Sequence, residues 1–91
     1  MVQTDSTIKV LSDNDSKFKK AFAEAAAIHE VGVSVKRLRE SLKMTQGDFA
    51  HMVGTSKSTI VRIESGTTAV SVRILAEIAH SVHKSVNIRF I

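Results

Sequence analysis

The feature that most constrains this chain is a pair of short helical segments joined by a glycine turn in residues 46–65. Thr45 and Ser56 stand where a side-chain oxygen can cap the free N–H groups that begin a helix. Gly54 and Gly66 follow the two segments, where a left-handed backbone ends a helix at the least cost. Since the 91 residues include no proline, these caps and glycines define two helices that cross at a tight turn.

The spacing of small and apolar residues predicts how the two helices pack. Ala50 precedes Gly54 by four residues, where a large side chain would push the second helix away. The inner face that fixes the crossing consists of Phe49, Val53, Ile60 and Ile63. The outward face of the second helix is short, polar or cationic: Lys57, Ser58, Thr59, Val61 and Arg62. This layout is that of a helix-turn-helix, whose second helix enters the major groove of DNA.

The flanking sequence adds three helices and a strand to this pair. Asp13–Ser16 favours a helix start, apolar residues at helical spacing follow, and that helix is expected to end between Glu30 and Gly32. Caps at Ser34 and Ser71 predict one helix before the pair and one after it. Ile8–Leu11 is either a short strand or a frayed tail. At the C-terminus, Val86, Ile88 and Phe90 alternate with polar residues, which predicts a strand.

The expected fold is therefore all-α, with five helices, an N-terminal helical extension and a short C-terminal β-strand. We divide the chain into an extension over residues 1–33, a helix-turn-helix domain over 34–83 and a terminal strand over 84–91. That strand cannot be stable alone, because its edges need a neighbour. Pairing with Ile8–Leu11 and pairing with a second subunit both remain open, and the second would make Val86, Ile88 and Phe90 a dimer element.

Composition excludes several classes of protein. The absence of cysteine excludes disulfides, thiolate zinc sites and cysteine nucleophiles, and suits a reducing cytoplasm. His80 and His83 lie three residues apart, but no carboxylate pair nearby completes a metal site. No apolar run approaches the length of a membrane span, and no phosphate loop or convergent carboxylate pair suggests catalysis. We expect a cytoplasmic protein that is not an enzyme and has no cofactor.

Residues 34–83 resemble the lambda-repressor-like (Xre/Cro type) DNA-binding domains. The segment from Leu38 to Gln46 is similar to the family's first helix and its entry to the second. The remaining signature positions are filled by Phe49-Ala50, Gly54-Thr55-Ser56, Ile60 and Ile63-Glu64-Ser65-Gly66. Gly47 departs from the family, which prefers alanine or an acid there.

The resemblance implies a role for each matching residue. Lys57, Ser58 and Arg62 occupy the base-reading positions, and their cations would pair with guanine. Gln46, Ser56 and Thr59 are expected to contact phosphates. Arg39 and Glu64 hold the places of a structural ion pair. The expected ligand is double-stranded operator DNA, read by a homodimer.

The chain has a leading helix of the Asp-x-x-Phe-Lys type, with Phe18 and Phe22, and ends in Val86-Asn87-Ile88-Arg89-Phe90. These two ends resemble those of a subgroup, the HigA-like and HipB-like antitoxins of bacterial toxin–antitoxin pairs. Such proteins neutralise a partner toxin, often a ribonuclease that cleaves mRNA, and repress their own operon. One alternative is a stand-alone regulator with no toxin partner. A second alternative is a protein-interaction module that has kept the helical scaffold without binding DNA.

Overall fold

A computed structural model describes residues 17–90 of the chain. This part contains four α-helices: α1 (Lys17–Ser41), α2 (Gln46–Val53), α3 (Lys57–Ser65) and α4 (Val72–Ser81). Helix α3 packs against both α1 and α2, and α2 also packs against α4. The side chains of Phe49 and Ile60 are fully buried at the centre. Within residues 17–90, no helix combines the length and the hydropathy that a bilayer span requires.

The predicted helix boundaries around the glycine turn are confirmed. Each of the three capping hydroxyls accepts a hydrogen bond from the backbone N–H three residues further on: Thr45 from Asp48 at 3.1 Å, Ser56 from Thr59 at 3.2 Å and Ser71 from Ile74 at 3.1 Å. Gly54 and Gly66 have φ angles of 82° and 74°, in the left-handed region that favours glycine. The local chemistry of caps and glycines therefore sets α2, α3 and the start of α4.

The prediction of a helix end near Gly32 and a new helix at Ser34 is wrong. Helix α1 runs without a break from Lys17 to Ser41, so residues 17–90 hold four helices and the five-helix arrangement is not formed. Gly32 is buried, and a Cβ atom there would collide with the carbonyl oxygen of Ile63 and lie 3.2 Å from the backbone nitrogen of Gly66. The glycine is thus explained by the close approach of α3 to α1.

The predicted C-terminal strand is also wrong. Residues 84–89 have no regular secondary structure, and Phe90 is an isolated bridge position. The alternating side chains Val86, Ile88 and Phe90 are 37%, 47% and 75% exposed, so no buried face enforces a strand. The predictions for Ile8–Leu11 and for the helix start at Asp13–Ser16 lie outside the described residues.

The N-terminal half of α1 presents apolar side chains that the core does not cover. Phe18 is 77% exposed and Phe22 is 61% exposed, whereas Val35 in the C-terminal half is buried against α3 and its neighbours. Helical spacing correctly predicted a helix there, but it did not predict which apolar residues would be buried. Only the C-terminal part of α1 contributes to the core cluster of buried residues.

Two glycine-to-alanine changes test this account of α1. Gly32→Ala is expected to lower the free energy of unfolding by about 1–3 kcal/mol, because a methyl group is forced against the α3 backbone. Gly47→Ala is the matched control: its Cβ would meet only Lys57 Cδ, at 3.9 Å. It should raise the free energy of unfolding by about 0.5–1 kcal/mol. Urea denaturation measures both, and a Gly32→Ala protein as stable as Gly47→Ala would contradict the close approach.

Candidate nucleic-acid interface

The turn between α2 and α3 is closed by backbone hydrogen bonds around Gly54. The N–H of Thr55 donates to the carbonyl of Ala50 at 2.9 Å, and the N–H of Gly54 donates to the carbonyl of His51 at 3.2 Å. A Cβ atom at Gly54 would meet nothing within 4 Å. Because there is room for a side chain, the backbone conformation alone requires glycine here. The turn thereby fixes the direction in which α3 leaves α2.

Helix α3 has a buried side and an exposed side. Ile60 is fully buried and Ile63 is 3% exposed, and both belong to the core. The predicted base-reading residues Lys57, Ser58 and Arg62 are all exposed. Ser58 and Arg62 are four residues apart and therefore share one face of the helix. The structure thus brings a short polar side chain and two cations to the solvent side of α3.

The first turns of α2 and α3 lie next to each other. A Cβ atom built at Gly47 would stand 3.9 Å from Cδ of Lys57, which is ordinary van der Waals contact. The aliphatic part of the Lys57 side chain therefore runs along the first turn of α2, beside the residue that follows Gln46. The Lys57 side chain at the start of α3 therefore lies close to the start of α2.

The three predicted phosphate contacts differ in their surroundings. Ser56 is exposed, and its Oγ lies 2.8 Å from Oγ1 of Thr59 and 3.1 Å from Oγ of Ser58. Thr59 and Gln46 are half-buried. The Gln46 amide nitrogen Nε2 donates to Glu64 Oε1 at 3.1 Å. Sequence reasoning missed this last hydrogen bond, because it joins residues that are 18 positions apart.

The expected ion pair between Arg39 and Glu64 is present. Arg39 Nε donates to Glu64 Oε2 at 2.7 Å and Arg39 Nη2 donates to Oε1 at 3.0 Å, a bidentate geometry. The side chains are 13% and 4% exposed. Arg39 Nη1 also donates to the carbonyl of Met44 at 2.8 Å. The hydrogen bond to Glu64 is the main cause that raises the pKa of Arg39 above its usual value, against the opposing effect of burial.

A second ion pair lies on α4 and differs from the first in exposure. Arg73 Nε is 3.5 Å from Glu77 Oε2, and the two side chains are 87% and 61% exposed. An exposed pair of this kind contributes little to stability. Residues 17–90 contain no group of three His, Asp or Glu side chains that could hold a metal ion.

Family comparison identifies the class of protein that this geometry defines. Residues 35–86 match the model of a helix-turn-helix family, which covers more than half of the chain. The chain therefore belongs to this lambda-repressor-like family of DNA-binding regulators, which is not an enzyme family. The resemblance in the sequence is thereby confirmed.

A curated relative is more specific in its name. The chain is 38% identical over 45 residues to "Antitoxin PezA" of Streptococcus pneumoniae serotype 4 (strain ATCC BAA-334 / TIGR4). The aligned residues are 50% of this chain and 28% of that relative, so the chain spans less than a third of the relative's length. No solved structure gives a significant match.

Proposed function

We propose that the protein is a sequence-specific DNA-binding transcriptional repressor that also acts as the antitoxin of a toxin–antitoxin pair. DNA reading is supported by the exposed surface of α3: Lys57, Ser58 and Arg62 are exposed, whereas Ile60 and Ile63 on the same helix are buried. Because the inner face is fixed by the core, the outer face has one orientation. A rigid helix with short polar and cationic side chains fits the major groove.

Lys57, Ser58 and Arg62 are the proposed base-reading residues. Arginine and lysine donate to O6 and N7 of guanine, so the half-site should contain guanine. The charge distribution supports this face: residues 31–66 carry six Lys or Arg against three acids, whereas residues 1–30 carry four against five. The positive charge is therefore concentrated in the part of the chain that contains the helix-turn-helix.

Gln46, Ser56 and Thr59 are the proposed phosphate contacts. They stand at the starts of α2 and α3, where free backbone N–H groups and the helix dipole favour an anion. Contacts of this kind fix the register of the protein on the duplex and carry no sequence information. The two sets of residues therefore predict different responses to mutation.

Alanine substitutions separate base reading from phosphate contact. Arg62→Ala should cost about 1–3 kcal/mol of binding free energy and relax one base position, whereas Gln46→Ala should weaken all sequences alike. Fluorescence anisotropy with a duplex selected from a random pool, and with single-base variants of it, measures both effects. Arg73→Ala on α4 is the control, since that cation is also exposed.

Two results of this experiment would count against the proposal. If Arg62→Ala lowers the affinity equally for every duplex, Arg62 does not read a base in the unaltered protein. If Lys57→Ala combined with Arg62→Ala leaves operator binding unchanged, α3 does not enter the groove, and the protein-interaction module becomes the better account.

The repressor is proposed to bind as a homodimer, because two-fold symmetric operators are read by two-fold symmetric proteins. With the strand excluded, the support is the exposed apolar side chains Val86, Ile88 and Phe90, which a partner subunit would cover. Replacing all three by serine should yield a monomer in sedimentation velocity. Replacing Phe18 and Phe22 by serine tests the other exposed apolar surface, on α1; a dimer lost there and kept in the triple variant would place the contact on α1 instead. A dimer that survives the triple substitution would contradict this assignment.

The antitoxin role rests on the antitoxin name of the curated relative and on the resemblance of the two ends of the chain to HigA-like and HipB-like proteins. The proposed partner is a basic ribonuclease-type toxin encoded beside this gene. A stand-alone regulator would have no such neighbour.

Co-expression tests the antitoxin role directly. A small basic protein encoded by the adjacent reading frame should arrest growth of a bacterial host when expressed alone, and this protein should restore growth. The variant with Lys57→Ala and Arg62→Ala should lose repression of its own promoter but still restore growth, because neutralisation does not need the DNA-reading face. Failure of the unaltered protein to restore growth would contradict the antitoxin role and favour the stand-alone regulator.

A further inference from the structure

Gln46 is held by a side chain that has no part in the proposed contacts to DNA. Its Nε2 donates to Oε1 of Glu64 at 3.1 Å, and the Glu64 side chain is only 4% exposed. Glu64 in turn accepts two hydrogen bonds from Arg39, whose third nitrogen donates to the carbonyl of Met44. Met44 lies two residues before Gln46, so this series of hydrogen bonds begins and ends in residues 44–46.

This network fixes which end of the Gln46 amide faces inward. An ionised carboxylate can only accept hydrogen bonds, so only the amide nitrogen, not the amide oxygen, is stable against Glu64. Turning the amide over would place Gln46 Oε1 against Glu64 Oε1 with no proton between them. One hydrogen of Nε2 is used by Glu64, and the second hydrogen remains to donate to another group.

We propose that Glu64 is a positioning residue for DNA binding: it holds the Gln46 amide so that its second N–H is presented to a phosphate oxygen of the duplex. The inference rests on the proposed DNA-binding function and extends it to a residue that does not touch DNA. Without Glu64, the amide would sample both orientations, including the one that turns its oxygen toward a phosphate. Arg39 supports this arrangement by neutralising and orienting the carboxylate.

The direction in which Glu64→Gln changes the affinity for DNA distinguishes a positioning role from a purely electrostatic one. Glu64→Gln removes a negative charge beside the proposed DNA surface, which on charge alone should strengthen binding to a polyanion. Positioning predicts the opposite, a weakening on the order of tenfold, which corresponds to the loss of one hydrogen bond to a charged group. Glu77→Gln is the matched control: it removes a carboxylate that is 61% exposed on α4.

The test compares Glu64→Gln, Gln46→Ala and the double variant in binding to a duplex that the unaltered protein selects from a random pool. Affinities are measured at a temperature where circular dichroism shows every variant folded. Each single substitution should weaken binding similarly, and the double variant should bind no more weakly than either, because both remove the same contact. Unchanged or tighter binding by Glu64→Gln, or independent losses that multiply in the double variant, would overturn the proposal.

A measurement on the unaltered protein covers the case in which Glu64→Gln does not fold. Nuclear Overhauser effects between the Gln46 side-chain amide protons and the Glu64 Hγ protons should persist in the DNA complex, and their loss on binding would overturn the positioning role. The proposed function fails separately: if the unaltered protein selects no duplex at all, DNA binding itself is overturned. If it binds DNA but Glu64→Gln binds equally well, only the positioning role falls.

Discussion

The arrangement of the helix-turn-helix depends on the bidentate pair between Arg39 and Glu64. Arg39 lies in the last turn of α1 and Glu64 in the last turn of α3, and the guanidinium also donates to the carbonyl of Met44 in the loop before α2. One side chain thereby joins two helices and the loop that leads into a third. Removing one partner of such a nearly buried pair leaves an uncompensated charge, which lowers the free energy of unfolding by several kcal/mol.

The apolar core and the close approach of α3 to α1 add to the constraint that the ion pair imposes. Phe49 and Ile60 fill the space between α2 and α3, and Gly32 allows the end of α3 to lie directly against α1. The position of α3 is therefore fixed by the ion pair, by the core that it shares with α2 and by its close contact with α1. The proposed DNA-reading face is therefore already in place before binding, which lowers the cost of ordering it.

Local sequence patterns predicted the elements that are stabilised by local chemistry. The caps at Thr45, Ser56 and Ser71 and the left-handed glycines depend on residues within a few positions of each other, and they were predicted correctly. Gly32 was misread as a helix end because the contact that requires glycine comes from Ile63, far along the chain. The alternation at residues 86–90 was misread as a strand, since alternation alone supplies no neighbour to pair with. The hydrogen bond between Gln46 and Glu64 depends likewise on how two distant segments pack.

The exposed face of α3 and the starts of α2 and α3 form the proposed contact surface for DNA. Amide chemical-shift changes in the ¹⁵N-labelled protein on addition of a selected duplex test this most directly, because they map the contact surface without altering any residue. The largest changes should fall on residues 46–47 and 56–62, with little change in residues 17–28 of α1. Changes confined to α1 and the C-terminal segment, with α3 unaffected, would contradict it.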